Sequence, residues 1–262
     1  MIEALLYYLL LGAVAGTLAG LLGIGGGLII VPALALAFET QGFEGGLIMH
    51  LALGTSLATV VITSLSSVYT HQRHSAVVWP VVARLSGGMV MGALCGALLA
   101  GYLSSDGLQK IFALFTLLVA AQMVWALRPQ GQQLPARLAL AGVGSVIGGV
   151  SSVVGIGGGS MTTPFLLWCQ VPIRRAIATS AACGFPIALA GAAGYWVVGQ
   201  GVSMLPAHSS GYLYWPALLG VVVSSVPFAR LGAGLTHRLP VETLKKGFAL
   251  LLFVVGVSLL LA

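Results

Sequence analysis

Gly23-Ile24-Gly25-Gly26-Gly27 recurs letter for letter as Gly155-Ile156-Gly157-Gly158-Gly159, and in both places a proline (Pro32, Pro164) stands five residues after the last glycine. Working outward, Ala52-Leu53-Gly54-Thr55-Ser56 is matched by Ala176-Ile177-Ala178-Thr179-Ser180. Further on, Leu108-Gln109-Lys110-Ile111-Phe112-Ala113-Leu114 is matched by Leu244-Lys245-Lys246-Gly247-Phe248-Ala249-Leu250. The three matches keep their order, at offsets of 132, 124 and 136 residues, which shared apolar composition does not explain. The chain therefore reads as two homologous halves, 1–128 and 129–262, joined near Arg128-Pro129-Gln130-Gly131.

Composition sets the solvent in which these halves fold. Of 262 residues, 58% are hydrophobic and 6% charged, against about 25% charged in a soluble protein. Sixteen charged side chains cannot cover a water-facing surface, so a soluble globular fold, a disordered chain and a disulfide-stapled secreted domain are excluded. Residues 4–38, 45–72, 85–105, 111–127, 138–173, 176–229 and 247–262 carry no formal charge. A helix needs roughly 20 apolar residues to cross the hydrocarbon. The stretches 4–38 and 138–173 are too long for one plain helix, and 176–229 holds two, separated by the Gly/Pro/Ser-rich segment 199–211. No barrel-like alternation is present. The expected fold is an all-α polytopic membrane protein of about eight membrane segments. The first repeat places a broken hairpin at 4–38 and helices at about 46–70, 77–101 and 107–127. The second places a hairpin at 138–171 and helices at about 173–198, 211–236 and 242–262. Met1-Ile2-Glu3 lacks a basic region and a cleavage site, so the start is read as part of the first helix.

Basic residues decide between parallel and inverted halves. If 4–38 and 138–173 each cross once, Lys and Arg divide without bias. If each enters, breaks at the glycines and returns, the halves are inverted and ten of the eleven Lys/Arg gather on one side. Glu3, Glu39, Glu44 and Asp106 then collect on the other, where Lys110 is the lone exception. The positive-inside rule selects the second arrangement, with both termini non-cytoplasmic. The same thin spread of charge, with no basic run longer than a pair, makes the net charge of +6 a mark of topology and excludes nucleic acid as a partner. Cys95, Cys169 and Cys183 have no disulfide or metal spacing and read as small buried hydrophobes.

A helix broken in lipid survives only where protein or a water-filled cavity satisfies its backbone. Glycine permits the turn and lets a ligand approach the main chain. Thr163 is the expected N-cap of a new helix, with Pro164 at its first position and Pro32 in the equivalent place. Free N–H groups of two helix starts then face the break, and such ends attract anions. Close packing by small residues is the competing reading of a lone glycine string, but its recurrence inside over-long segments favours paired breaks. A dinucleotide fingerprint is excluded because no βαβ unit surrounds it. The candidate anion-binding residues are Gly25, Gly26, Gly27, Gly157, Gly158 and Gly159, with the hydroxyls of Thr55, Ser56, Ser160, Thr163, Thr179 and Ser180, and Thr162 in the same cluster. Hydroxyls donate to an oxyanion without adding charge, although any single one also bonds readily to the preceding turn. No Asp or Glu lies deep in a span, which argues against a cation site or carboxylate proton relay. His50 and Arg174 occupy equivalent positions, one at each mouth, as secondary candidates for gating or coupling.

Gly20-Leu21-Leu22-Gly23-Ile24-Gly25-Gly26-Gly27 with Val31-Pro32, repeated as Gly148-Gly149 through Gly155-Ile156-Gly157-Gly158-Gly159 with Thr163-Pro164, resembles the sulfite exporter TauE/SafE family over essentially the whole length. That resemblance implies a bacterial inner-membrane carrier of sulfur-containing anions such as sulfite, thiosulfate or organosulfonates, coupled to a proton or other ion. The expected function is thus a secondary transporter moving a small anion by alternating access, with a passive anion channel as the alternative. An intramembrane hydrolase lacks a nucleophile–base pair, and an ATP-driven pump lacks a nucleotide motif. No enzyme activity, cofactor or metal is expected; the partners are the small anion, the coupling ion and the bilayer.

Overall fold

The computed structural model describes residues 2–22, 26–73, 75–125, 134–235 and 241–261. The first half folds as α1 (Ile2–Leu22), α2 (Gly27–Thr40), α3 (Gly45–Arg73), α4 (Trp79–Tyr102) and α5 (Ser105–Trp125). The second follows as α6 (Arg137–Val154), α7 (Gly159–Trp168), α8 (Ile173–Val198), a short hairpin of β1 (Ser209–Ser210) and β2 (Leu213–Tyr214), α9 (Trp215–Leu235) and α10 (Val241–Leu261). Each glycine string thus falls between two helices, α1/α2 and α6/α7. Gly23, Ile24 and Gly25, the larger part of the first string, lie outside the described residues.

Four of the described helices, α3, α4, the 105–124 portion of α5 and α8, are long and apolar enough to cross a membrane. Shorter apolar stretches come from α1, α2, α6, α9 and α10. Large apolar side chains such as Leu10, Met91, Leu98, Leu99, Leu118 and Leu219 point outward, whereas Thr55, Ser56, Thr116, Ser152, Thr162 and Thr179 are wholly buried. This reverses the soluble arrangement and suits a hydrocarbon surround. The fold is that of an all-α polytopic membrane protein.

Small residues set the helix pairing. Gly88, Gly92 and Gly96 of α4 lie against Ala141, Ser145 and Gly149 of α6, backbone to backbone, so these helices run parallel. Gly12 and Gly16 of α1 lie in the same way against Val221 and Ser225 of α9, and the Tyr8 side chain packs on Gly220, so this pair is parallel as well. In contrast, Gly54 of α3 faces Tyr195 of α8, Leu57 faces Gly191 and Ser64 faces Gly184, which makes α3 and α8 antiparallel. The α5/α10 pair is antiparallel too: Gln109 Nε2 donates to the Leu259 carbonyl at 3.0 Å, and Gly256 meets Ala113 and Leu117. Within the first hairpin, Tyr7 Oη donates to the Ala33 carbonyl at 3.0 Å. Gln41 Nε2, at the far end of α2, donates to Tyr8 Oη at 2.7 Å. The chain therefore doubles back, and α2 ends near the level where α1 begins.

The hairpin of β1 and β2 spans the end of the separator 199–211 and the expected start of the helix at about 211–236, which begins instead at Trp215. It folds onto α3 and α8: the Tyr212 N–H reaches the Tyr195 carbonyl at 3.3 Å. Tyr214 completes an aromatic cluster with Tyr8, Phe38 and Phe43, at ring separations of 5.3 to 6.4 Å.

Candidate functional site

The second break is built by two left-handed glycines. Gly155 ends α6 at φ 73°, ψ 29°, and Gly158 caps α7 at φ 73°, ψ −4°, a conformation that a side chain strongly disfavours. The Ile156 and Gly155 N–H groups close α6 onto the carbonyls of Ser151 (2.9 Å) and Ser152 (3.2 Å). On the other side, the Met161 and Thr162 N–H groups bond back to the Gly158 carbonyl at 3.1 and 2.8 Å. No described backbone carbonyl accepts from the N–H groups of Gly157, Gly158, Gly159 or Ser160, and all four residues are buried.

The start of α7 differs from the expected one. Thr163 is not the N-cap and Pro164 is not the first helical residue: α7 begins at Gly159 and contains Pro164 within it, as α2 begins at Gly27 and contains Pro32. The glycines start the helix without any side-chain cap, and each proline falls in the second turn, where it removes one backbone donor.

The walls of the break come from three other helices. Gly155 abuts Leu53 and Val31, Gly157 abuts Val60 and Gly184, and Gly158 abuts Ile187. The two breaks also meet: a methyl group on Gly27 would stand 2.8 Å from the Gly155 carbonyl oxygen and 3.0 Å from Ile156 Cα. Gly26 lies beside Ala15 and Ile30, and its carbonyl accepts from the Ile29 and Ile30 N–H groups.

The predicted hydroxyls divide into two sets. Ser56 Oγ donates to the Gly155 carbonyl at 2.8 Å, and Ser180 Oγ reaches the Gly159 carbonyl at 3.4 Å, so both brace the second break. Thr55 Oγ1 accepts from the Tyr214 N–H, and Thr179 Oγ1 from the Val78 N–H, each at 3.0 Å. Ser160 and Thr163 carry hydroxyls with no partner, as do Ser151, Ser152 and Thr162. The serines at 151 and 152 escaped the sequence reading, which looked downstream of the glycines for a helix start. The signal available was the contrast between halves, since the positions 132 residues earlier are Ala19 and Gly20.

His50 and Arg174 are not brought together, because α3 and α8 run antiparallel and each residue sits near the start of its helix. His50 is buried, its Nε2 lies 3.1 Å from the Ala100 carbonyl, and its ring stacks on Tyr212 at 4.8 Å. Arg174 is exposed.

Broken helices packed among long apolar ones, with an inside-out distribution of polarity, define a multi-pass membrane protein. The chain belongs to the sulfite exporter TauE/SafE family, whose model matches residues 8–259. It is 40% identical to a "Probable membrane transporter protein" of Haemophilus influenzae over the full length of both chains. It is 27% identical to "Probable membrane transporter protein MJ0441" of Methanocaldococcus jannaschii, over 97% of this chain and 94% of that one. It is also 25% identical to "Probable membrane transporter protein YunE" of Bacillus subtilis, over 95% of each. No solved structure matches the chain.

Proposed function

We propose that this protein is a secondary transporter carrying a small sulfur-containing oxyanion, of the sulfite, thiosulfate or organosulfonate class, across a bacterial inner membrane by alternating access. The observation that carries this reading is the run of four unpaired, buried N–H groups from Gly157 to Ser160, at the point where both glycine breaks meet. Unpaired donors at a helix start inside an apolar protein favour a negative guest. The braced hydroxyls of Ser56 and Ser180 hold the carbonyls of the break away from that guest.

The halves act as an inverted repeat in this reading. Antiparallel α3/α8 and antiparallel α5/α10, each a pair of equivalent helices, support it, as does the reciprocal pairing of α1 with α9 and α6 with α4. Broken helices at the interface of inverted halves are a recurring layout of carriers. Both termini are non-cytoplasmic in this scheme, and Arg174 draws the anion toward the cytoplasmic mouth while His50 stands at the opposite one.

The test is flux into proteoliposomes of sulfite, thiosulfate, sulfate, ethanesulfonate and acetate, with and without a proton gradient. Accumulation of a sulfur oxyanion against its own gradient supports the carrier. Equilibration without accumulation identifies a passive channel, and absence of flux for all five refutes anion transport.

A further inference from the structure

We infer that the anion seat is single and asymmetric: it is formed at the second break by the hydroxyls of Ser151 and Thr162 together with the free N–H groups of Gly157 to Ser160, and the first break has no counterpart of these hydroxyls. The inference rests on the transport reading above and deepens it.

Two independent observations converge on one place. The backbone supplies the four unpaired N–H groups at the start of α7, a ten-residue helix. The side chains supply hydroxyls that bond to nothing in the protein: Ser151 and Thr162 are wholly buried, and Ser160 is 8% exposed. Their direction is fixed by Gly158. A methyl group placed on that residue would lie 3.4 Å from Ser151 Oγ and 3.5 Å from Thr162 Oγ1. Both hydroxyls therefore border the same point beside the left-handed glycine, one from the last turn of α6 and the other from the first turn of α7, with Ile187 Cδ1 closing its apolar side at 2.5 Å. A buried hydroxyl without a partner costs about 1–3 kcal/mol, and two aimed at one spot beside free amides are satisfied together by a ligand that accepts from all of them.

The first half lacks the hydroxyls, although the Gly26, Gly27 and Leu28 N–H groups likewise have no described backbone acceptor. At the offset of 132 that aligns the glycine strings, Ser151, Ser160, Thr162 and Thr163 correspond to Ala19, Leu28, Ile30 and Val31. Leu28, Ile30 and Val31 are buried in the apolar core. Duplication thus kept the glycines and the proline in both halves but the hydroxyls in one. The ligand this seat fits is a small oxyanion with several unprotonated oxygens, because its donors are uncharged and no Lys, Arg, Asp or Glu occurs between residues 138 and 173.

The experiment measures proteoliposome uptake of sulfite, thiosulfate, ethanesulfonate, phosphate and acetate by wild type, Ser151→Ala, Thr162→Val, Thr162→Ser and Ile30→Val. Thr162→Val and Ile30→Val place the same side chain at equivalent positions of the two halves. For the best-transported anion, Ser151→Ala and Thr162→Val are expected to raise KM about tenfold or more. Thr162→Ser is expected to restore KM, and Ile30→Val to leave it within about twofold, well inside the loss expected for one hydrogen bond to an anion. Should Ser151→Ala fail to fold, Ser151→Cys keeps the volume and removes the strong donor, with the same expected rise. Unchanged KM in both hydroxyl variants, or an equal rise in Ile30→Val, overturns the single seat while leaving anion transport standing. No uptake of any anion by wild type removes the transport reading and this inference with it.

Discussion

The hydroxyl of Thr55 accepts the backbone N–H of Tyr214 at 3.0 Å. Thr179, its equivalent 124 residues later, accepts the N–H of Val78 at the same distance. Each threonine lies on a long buried helix of one repeat and holds the residue that precedes α9 or α4 of the other. The two repeats are thereby cross-tied at both ends of the molecule by the same bond. Thr55→Val and Thr179→Val keep the shape and remove the acceptor. Each is expected to lower stability by about 1–2 kcal/mol, from a partly buried N–H left without a partner. Thermal unfolding in detergent reads this as a drop in midpoint of similar size for the two variants.

Ser56 tests the bracing of the second break. Its hydroxyl is wholly buried and donates to the Gly155 carbonyl at 2.8 Å. Ser56→Ala leaves that carbonyl unpaired beside the free amides of Gly157 to Ser160. Weaker anion binding is expected, by roughly two- to tenfold in KM, the range of one neutral hydrogen bond. An unchanged KM with a lowered melting point would confine Ser56 to structure.

Helix contact through glycine gives a sharper contrast. A side chain on Gly92 would run into the backbone of Ser145, whereas Gly87 has open space beside it. Gly92→Ala is expected to force α4 from α6 and cost about 1–3 kcal/mol. Gly87→Ala is expected to leave the melting midpoint unchanged or slightly raised, since alanine favours the helix. Equal behaviour of the two variants would contradict the close α4/α6 packing.

Arg174 is exposed at the start of α8, so its contribution acts through solvent. Arg174→Gln is expected to reduce anion uptake by about two- to threefold at low ionic strength, and the difference is expected to vanish near 1 M salt, where screening acts within about 3 Å. A salt-independent loss would point to direct contact with the substrate instead.

Much of this organisation was legible in the residues. Charge-free stretches too long for one helix marked 4–38 and 138–173 as interrupted, and α6 and α7 do part at Gly155 to Gly158. What misled the reading was Pro164. Proline is commonest at a helix start, but here the left-handed Gly158 caps a helix that opens at Gly159, five residues earlier, and tertiary packing against Ile187 and Val60 holds the break. The hairpin at Ser209–Tyr214 was illegible because its strands are two residues each, too short for any alternation to show. Its position depends on a distant acceptor, Thr55. Ser151 and Ser152 were hidden for a related reason: helical serines ordinarily bond to the preceding turn, and only the folded chain reveals that these two do not.

Anion transport through the meeting breaks requires the two broken hairpins to enter from opposite faces of the membrane. The direct measurement is labelling of single cysteines, Gln41→Cys at the end of α2 and Pro172→Cys at the end of the α7 turn, in an otherwise cysteine-free protein in intact spheroplasts. A membrane-impermeant maleimide is expected to label Gln41→Cys from outside, and to reach Pro172→Cys only after the membrane is opened. Labelling of both from the same side would contradict the inverted arrangement and the meeting of the two breaks on which the anion seat depends.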